Sequence, residues 1–271
     1  MDKKTDPTAE GKNFLNPNFG FFSEPKVIAD IVNPISERTI ESMDNQPNTI
    51  IHVLDMGTGT GIIVKNLKQK LNLPERNGFQ PVLYYGIDCQ DDLIQQNKKD
   101  APDITWFCAD NKSIPFADNF FDVVFMRGAF HYEDTKQAQE QVIKQAFCAL
   151  KPGGYLINYS VAFRLASEAD LENRFYKILP KSVRWNTIAD FYGMHKKVFK
   201  NAKFLPNPNS RSLDFTAESM RNRYHFDTGQ QQAICDMIAA VPKEKRPHFD
   251  TDGTNFWFTN PQRIIQCQKL K

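Results

Sequence analysis

Residues 54–61 read Leu54-Asp55-Met56-Gly57-Thr58-Gly59-Thr60-Gly61. Three glycines alternate with two threonines just past an acid. The preceding run, Thr49–Asp55 (TIIHVLD), is apolar on both parities and ends in that acid. This is the pattern of a strand buried on both faces. A helical stretch opens at Ile62 and runs to about Leu71. The glycines therefore occupy a strand-to-helix turn, where backbone N–H groups and the positive end of the helix dipole face any ligand. A P-loop requires lysine followed by Ser or Thr after its last glycine, and Gly61 is followed by Ile62-Ile63. A dinucleotide fingerprint requires GxGxxG. Counting from Gly57 the sixth position is Ile62, and counting from Gly59 it is Val64, so that reading fails too.

Outward from the loop, strand and helix alternate. Val82–Asp88 (VLYYGID) reads as a second strand and DDLIQQNKK as its helix. ITWFCAD is a third strand and FDVVFMR a fourth, with a helix over Thr135–Leu150 after it. KPGG is a turn before the fifth strand, YLINYS. Such alternation predicts an α/β fold with a mainly parallel sheet, helices on both faces, and ligands at the carboxyl ends of the strands.

The combination of segments resembles the class I S-adenosylmethionine-dependent methyltransferases. VLDMGTGTG is similar to their first motif. YGIDCQ places Asp88 where the family holds the cofactor ribose. FCADNKSIPFADNFFDVVF is similar to their adenine-contacting stretch, and ALKPGGYLINYS to the lead-in to strand five. The resemblance spans residues 49–160. It is closest to small-molecule members such as the ubiquinone and menaquinone biosynthesis methyltransferases. The [DNS]PP[YFW] signature of the DNA amino-methyltransferases is missing, because strand four ends in Arg127-Gly128-Ala129-Phe130.

The resemblance implies a Rossmann-like, doubly wound, seven-stranded sheet with a helical lid insertion after strand five. It implies a core at 49–160, an N-terminal aromatic and helical segment at 1–48, a helical insertion at 161–205, and closing helices and strands at 206–271. The cofactor implied is S-adenosylmethionine, with S-adenosylhomocysteine as product. Asp88 is expected on the ribose hydroxyls and Asp110 on the adenine amine, with Asn111 beside it. Cys89 and Ile114 are expected to flank the base. Gly57, Thr58, Gly59 and Gly61 are expected around the amino acid end, assisted by Asp55, and Arg127 along the slot. Read without the resemblance, Asp88 is also placed to cap the helix that follows it, and Asp55 to bond loop amides.

Methyl transfer needs alignment, exclusion of water and, for some acceptors, a base. His131 in GAFHYEDTKQ is the candidate base and Tyr132 the candidate acceptor contact. The other reading of His131 is a packing residue ahead of helix-start acids Glu133 and Asp134. The aromatic stretch Phe14–Phe22 and residues 162–200 suggest an apolar or aromatic acceptor.

Composition sets bounds on these readings. The chain has 271 residues, 41% hydrophobic and 24% charged, with 34 basic and 32 acidic side chains. That supplies a core and no strong global field for nucleic acid. HKKVFKNAK and PKEKRP are short basic runs of the kind usually found on solvated faces, so RNA or protein methylation is the alternative to a small-molecule acceptor. A cofactor-binding protein without turnover is a further alternative. An aminopropyltransferase would require an acidic gate that the sequence does not display. Five cysteines without a CxxC pair, and dispersed histidines, indicate neither a disulfide framework nor a metal site. A polar N-terminus and no long apolar run lead to the expectation of a soluble, cytoplasmic protein without a membrane span.

Overall fold

The computed structural model describes residues 50–70, 82–179, 181–206 and 213–270. The N-terminal segment 1–48 and its aromatic stretch lie outside the described residues.

Five strands and their helices follow the sequence reading. Strand β1 (Ile51–Met56) leads through the glycine loop to α1 (Ile62–Lys70). Then come β2 (Val82–Asp88), α2 (Asp91–Asp100), β3 (Thr105–Cys108) and β4 (Phe121–Arg127). A short 3-10 turn, Phe130–Tyr132, precedes α3 (Lys136–Ala149), and β5 runs over Leu150–Phe163. Strand five therefore begins earlier than YLINYS. The KPGG segment is part of it, with Gly153 at φ +83 and a register shift between Phe121 and Val123 on the neighbouring strand. Thr135 caps α3 by accepting the Ala138 N–H at 3.1 Å, and the helix buries Gln139, Val142, Ile143, Ala146 and Ala149 along one stripe.

The main sheet has the order β3-β2-β1-β4-β5-β11-β7, where β7 is Lys203–Phe204 and β11 is Gln262–Gln268. All neighbours among β1 to β5 run parallel, and β11 runs antiparallel to both β5 and β7. The two-residue strand β6 (Asn186–Thr187) pairs with β5 off this path. Alternate residues of β1 and β4 feed two apolar layers. Leu54, Met56, Val124 and Met126 pack beneath α3, and Val53, Val123 and Phe125 pack with Ile63, Val64 and Leu67 of α1. Both faces are buried, which is why these strands read as continuous apolar runs.

The helical stretch after strand five divides in two. Helix α5 (Ile188–Val198) packs Phe191 and Met194 into the layer under α3. Helix α4 (Ala166–Ile178) instead joins a third cluster with α6 (Ala217–Tyr224) and α7 (Thr228–Ala239). That cluster is built on a separate three-stranded antiparallel sheet, ordered β8 (Leu213–Thr216), β10 (Phe256–Asn260) and β9 (Phe249–Thr251). The segments on either side of Pro261 belong to different sheets: Phe256–Asn260 to the small one, Gln262–Gln268 to the large one. Thr216 caps α6, with Ser219 as its reciprocal partner. Many of the chain's phenylalanines are core here, among them Phe175, Phe215, Phe249, Phe256 and Phe258.

Among the described residues no helix is long and apolar enough to cross a membrane.

Candidate active site

Strands β1, β2, β3 and β4 are in parallel register, so their carboxyl ends Met56, Asp88, Cys108 and Arg127 gather along one edge. In this sheet the order in which successive strands are laid down reverses between β1 and β4, where such sheets open a crevice. The glycine loop folds across that edge. The N–H groups of Gly57 and Thr58 both donate to the Ile87 carbonyl, at 2.9 and 2.8 Å. Gly59 N–H donates to Asp88 Oδ2 at 2.8 Å, and Gln90 N–H donates to Asp88 Oδ1 at 3.0 Å. Each oxygen of Asp88 thus receives one backbone donor, which leaves acceptor capacity for another. Burial raises the Asp88 carboxyl above its usual pKa, against the pull of those N–H donors.

A cavity of about 340 Å³ opens over this edge. Its wall includes Gly57, Thr58, Gly59, Asp88, Cys89, Asp110, Asn111, Arg127 and Tyr132, all of them residues singled out by sequence. Gly59 (φ +53) is the point where the loop faces it: a Cβ there would meet nothing within 4 Å, while the left-handed backbone favours glycine. Asn111 Oδ1 is buried with no partner among the described residues. Asp110 is exposed at the rim. Burial works against its ionised form, but the Lys112 N–H at 2.8 Å and the Lys112 ammonium at 3.0 Å hold its pKa below the usual value. Lys112 also reaches Glu133 at 2.9 Å, closing a charged rim that the sequence does not reveal.

Asp55, Gly61 and His131 stand elsewhere. Asp55 is behind the loop, 2% exposed, accepting the Thr58 hydroxyl at 2.7 Å. Burial pushes its pKa up to about 7, with Thr58 opposing and the Asp88 charge adding. Gly61 faces inward, where a Cβ would stand 2.6 Å from Trp106. Ile114 packs against the apolar layer under α3 and does not line the cavity.

His131 lines a second, smaller cavity of about 50 Å³ that shares Arg127, Gly128 and Tyr132 with the first. Its ring stacks on the Trp185 indole, with centroids 4.0 Å apart and planes 13° from parallel. Burial, and then the Arg223 guanidinium, push its pKa down to about 3. An imidazole in that state is neutral at pH 7 and a weak base.

The support behind the loop is not legible in the sequence. Asn97 Nδ2 donates to the Gly59 carbonyl at 2.8 Å, and Lys65 Nζ donates to the Thr60 carbonyl at 3.0 Å and to Asn97 Oδ1 at 2.9 Å. The one available signal is Asn97 itself, a polar residue in a largely exposed helix yet only 1% exposed. Among the described residues no group of three or more His, Cys, Asp or Glu side chains is placed to hold a metal ion, and all five cysteines are free thiols.

Residues 53–154, which supply the loop and the whole of this cavity's wall, match the methyltransferase domain family. This match to a methyltransferase domain covers somewhat more than a third of the chain. Two similar curated proteins are the probable tRNA methyltransferase 9B of Mus musculus and of Bos taurus. Each is 27% identical over 143 residues, which is 53% of this chain and 27% of the relative. The chain thus spans about a quarter of the length of these relatives. Among solved structures, the YcgJ protein from Bacillus subtilis superposes with a TM-score of 0.69 at 16% identity, covering 87% of this chain and 99% of that one. A putative methyltransferase from Bacillus halodurans gives 0.66 at 19% identity, covering 86% and 99%. At such identities the likeness is one of fold, and it extends past residue 154.

Proposed function

We propose that the chain transfers the methyl group of S-adenosylmethionine to a small-molecule acceptor and releases S-adenosylhomocysteine. The observation that carries this reading is the Asp88 carboxylate, fixed by two backbone N–H groups at the mouth of a cavity flanked by the glycine loop. A carboxylate with one lone pair spent on each oxygen suits a vicinal diol, each hydroxyl donating to one oxygen. The other wall residues fit the rest of the cofactor. Asn111 and Asp110 with Cys89 would hold the adenine, the open backbone at Gly59 and the Thr58 turn would take the amino acid end, and Arg127 would close the inner wall. Asp55 acts from behind by fixing Thr58. The bound cofactor supplies a methyl group already activated on a sulfonium.

The chain then has to align an acceptor and keep water out. Tyr132 is shared by both cavities and stands where an acceptor would meet the cofactor side. His131 serves as a neutral polar wall and not as a base, because burial disfavours its charged form. This favours acceptors that need little deprotonation, such as thiols, enolates or carboxylates.

Calorimetry with S-adenosylhomocysteine tests the reading. The wild-type chain is expected to bind one equivalent. Asp88→Ala is expected to weaken binding about 100-fold, since two charge-assisted hydrogen bonds are worth roughly 3 kcal/mol together. A folded wild-type sample that binds neither S-adenosylhomocysteine nor S-adenosylmethionine overturns it.

An RNA acceptor is the second reading, favoured by the names of the curated relatives. Incorporation of label from S-adenosylmethionine into total tRNA, rather than into a small-molecule extract, would replace the first reading by the second.

A further inference from the structure

The glycine loop has two sides. One lines the larger cavity. The other rests on side chains that do not reach it: Lys65 of α1, Asn97 of α2 and Trp106 of β3. What these do for a ligand rests on the methyltransferase reading. Trp106 is the floor. A Cβ on Gly86 would come within 2.3 Å of its ring and one on Gly61 within 2.6 Å, which leaves no room for a side chain at either. Its Nε1 donates to the Ala101 carbonyl at 2.9 Å, and Lys65 Nζ stands 5.7 Å from the ring centroid. Above it, Asn97 is 1% exposed with both ends of its amide engaged. Nδ2 donates to the Gly59 carbonyl at 2.8 Å, and Oδ1 accepts from Lys65 Nζ at 2.9 Å. The same ammonium donates to the Thr60 carbonyl at 3.0 Å and lies 3.5 Å from Asp100 Oδ2. Two successive loop carbonyls are thus held from behind by a buried network whose members are all bonded, an arrangement that rigidifies.

The consequence for the cavity follows from the peptide plane. The Gly59 carbonyl and the Thr60 N–H belong to one planar trans unit, so they point in opposite directions. With the carbonyl bonded to Asn97 behind the loop, the N–H faces the cavity that Thr60 lines. Among the described residues this N–H has no acceptor. A backbone donor in such a place calls for a partner, and an anionic oxygen is the strongest one. The preceding peptide unit is committed differently, since its Gly59 N–H already donates to Asp88 Oδ2 at 2.8 Å. The loop therefore serves two parts of a ligand through two peptide units, and Asn97 holds one of them.

We infer that Asn97, oriented by Lys65, is a positioning residue: it aims the Thr60 N–H at the carboxylate of the cofactor's amino acid end. It sets the affinity for that end without lining the cavity itself.

Two ligands titrated by calorimetry into the full chain test it. S-adenosylhomocysteine carries the amino acid end, and 5′-methylthioadenosine has the same nucleoside without it. Asn97→Asp keeps the shape of the side chain and the bond to Lys65, whose charge holds the new carboxyl ionised. It removes only the donor to Gly59. The variant is expected to bind S-adenosylhomocysteine about tenfold more weakly, the size of one charge-assisted hydrogen bond. It is expected to bind 5′-methylthioadenosine as the wild type does, which also reports that it is folded. A role confined to stability would move both ligands together or neither. Lys65→Met keeps an unbranched stem over Trp106. It is expected to shift the ratio of the two affinities in the same direction by a smaller factor, and it decides the matter if Asn97→Asp does not fold. Unchanged affinity for S-adenosylhomocysteine, or an equal loss for both ligands, overturns the inference. Either outcome leaves the proposed function standing. Failure of the wild-type chain to bind S-adenosylhomocysteine would remove the function instead.

Discussion

The two cavities meet at Arg127, Gly128 and Tyr132 but are made in different ways. The larger one is made chiefly of backbone and of residues at strand ends. Its contributors come from one continuous stretch, Gly57 to Glu133, and their spacing follows from strand–helix alternation. The smaller one is made of side chains drawn from the 3-10 turn after β4, β5, α4, β8, α6 and the strands about Pro261, as far apart in sequence as Arg127 and Gln262. A backbone site tolerates little variation in residue type at its glycines and leaves a readable motif. A side-chain site leaves scattered aromatics and arginines, each of which is individually more common as core or surface.

The sharpest way to break the comparison is at Gly57. Its φ is +72, and a Cβ would stand 2.4 Å from Ala129 Cβ and 3.2 Å from Asn111 Nδ2. Gly57→Val combines a left-handed backbone for a branched residue with an overpacked contact. These costs of roughly 1–2 and 1–3 kcal/mol sum to about 3 kcal/mol. The expected outcome is loss of detectable S-adenosylhomocysteine binding together with a lower unfolding midpoint, read by calorimetry and thermal denaturation. Retained binding would mean that the loop backbone is not what shapes the larger cavity.

The same contrast explains what is legible in the sequence. The five parallel strands, the loop and Asp88 are readable because each follows from local periodicity and from where a strand must end. Asp55 and Gly61 read as cavity residues because the motif is one-dimensional. In three dimensions the strand pleat turns Asp55 behind the loop, and Gly61 faces the Trp106 ring. The environment of His131 depends on Trp185 and Arg223, more than fifty and ninety positions later, which no local pattern announces. The small antiparallel sheet escapes the sequence for the same reason: β8 and β10 pair across some forty residues, and a strand of four or five residues is short for a pattern argument.

A second test addresses the side-chain half. Glu172 is fully buried on α4, near Tyr176 and bonded by Asn260, and its pKa is raised from 4.5 to about 8 chiefly by burial. Below pH 4.5 the carboxyl is protonated whether the chain is folded or not. Between there and pH 8 the unfolded chain loses the proton while the folded chain keeps it, so this group lowers stability by up to about 1.4 kcal/mol per pH unit. Glu172→Gln removes that slope. Urea unfolding at pH 5, 6.5 and 8 is expected to show the variant gaining on the wild type as pH rises. Parallel pH profiles would mean that this half holds an ionised Glu172.

The smallest expected effect is at His131, where the two halves touch. Its ring contributes a stack on Trp185 and a neutral polar edge, and protonating it near pH 7 is opposed by burial and by Arg223. Arg184 N–H donates to the His131 carbonyl at 2.7 Å, so the backbone at this position is fixed whatever the side chain. His131→Gln keeps a polar group there and loses the ring contact, worth about 0.5–1.5 kcal/mol. A fall in kcat/KM of roughly tenfold or less is therefore expected, with the wild-type pH–rate profile showing no inflexion near 6.5. An inflexion there that the variant abolishes, with a far larger loss of rate, would make His131 a base after all. Acceptor binding would then have to change the surroundings of the ring, since an imidazole whose pKa burial pushes down to about 3 is a poor proton acceptor at neutral pH.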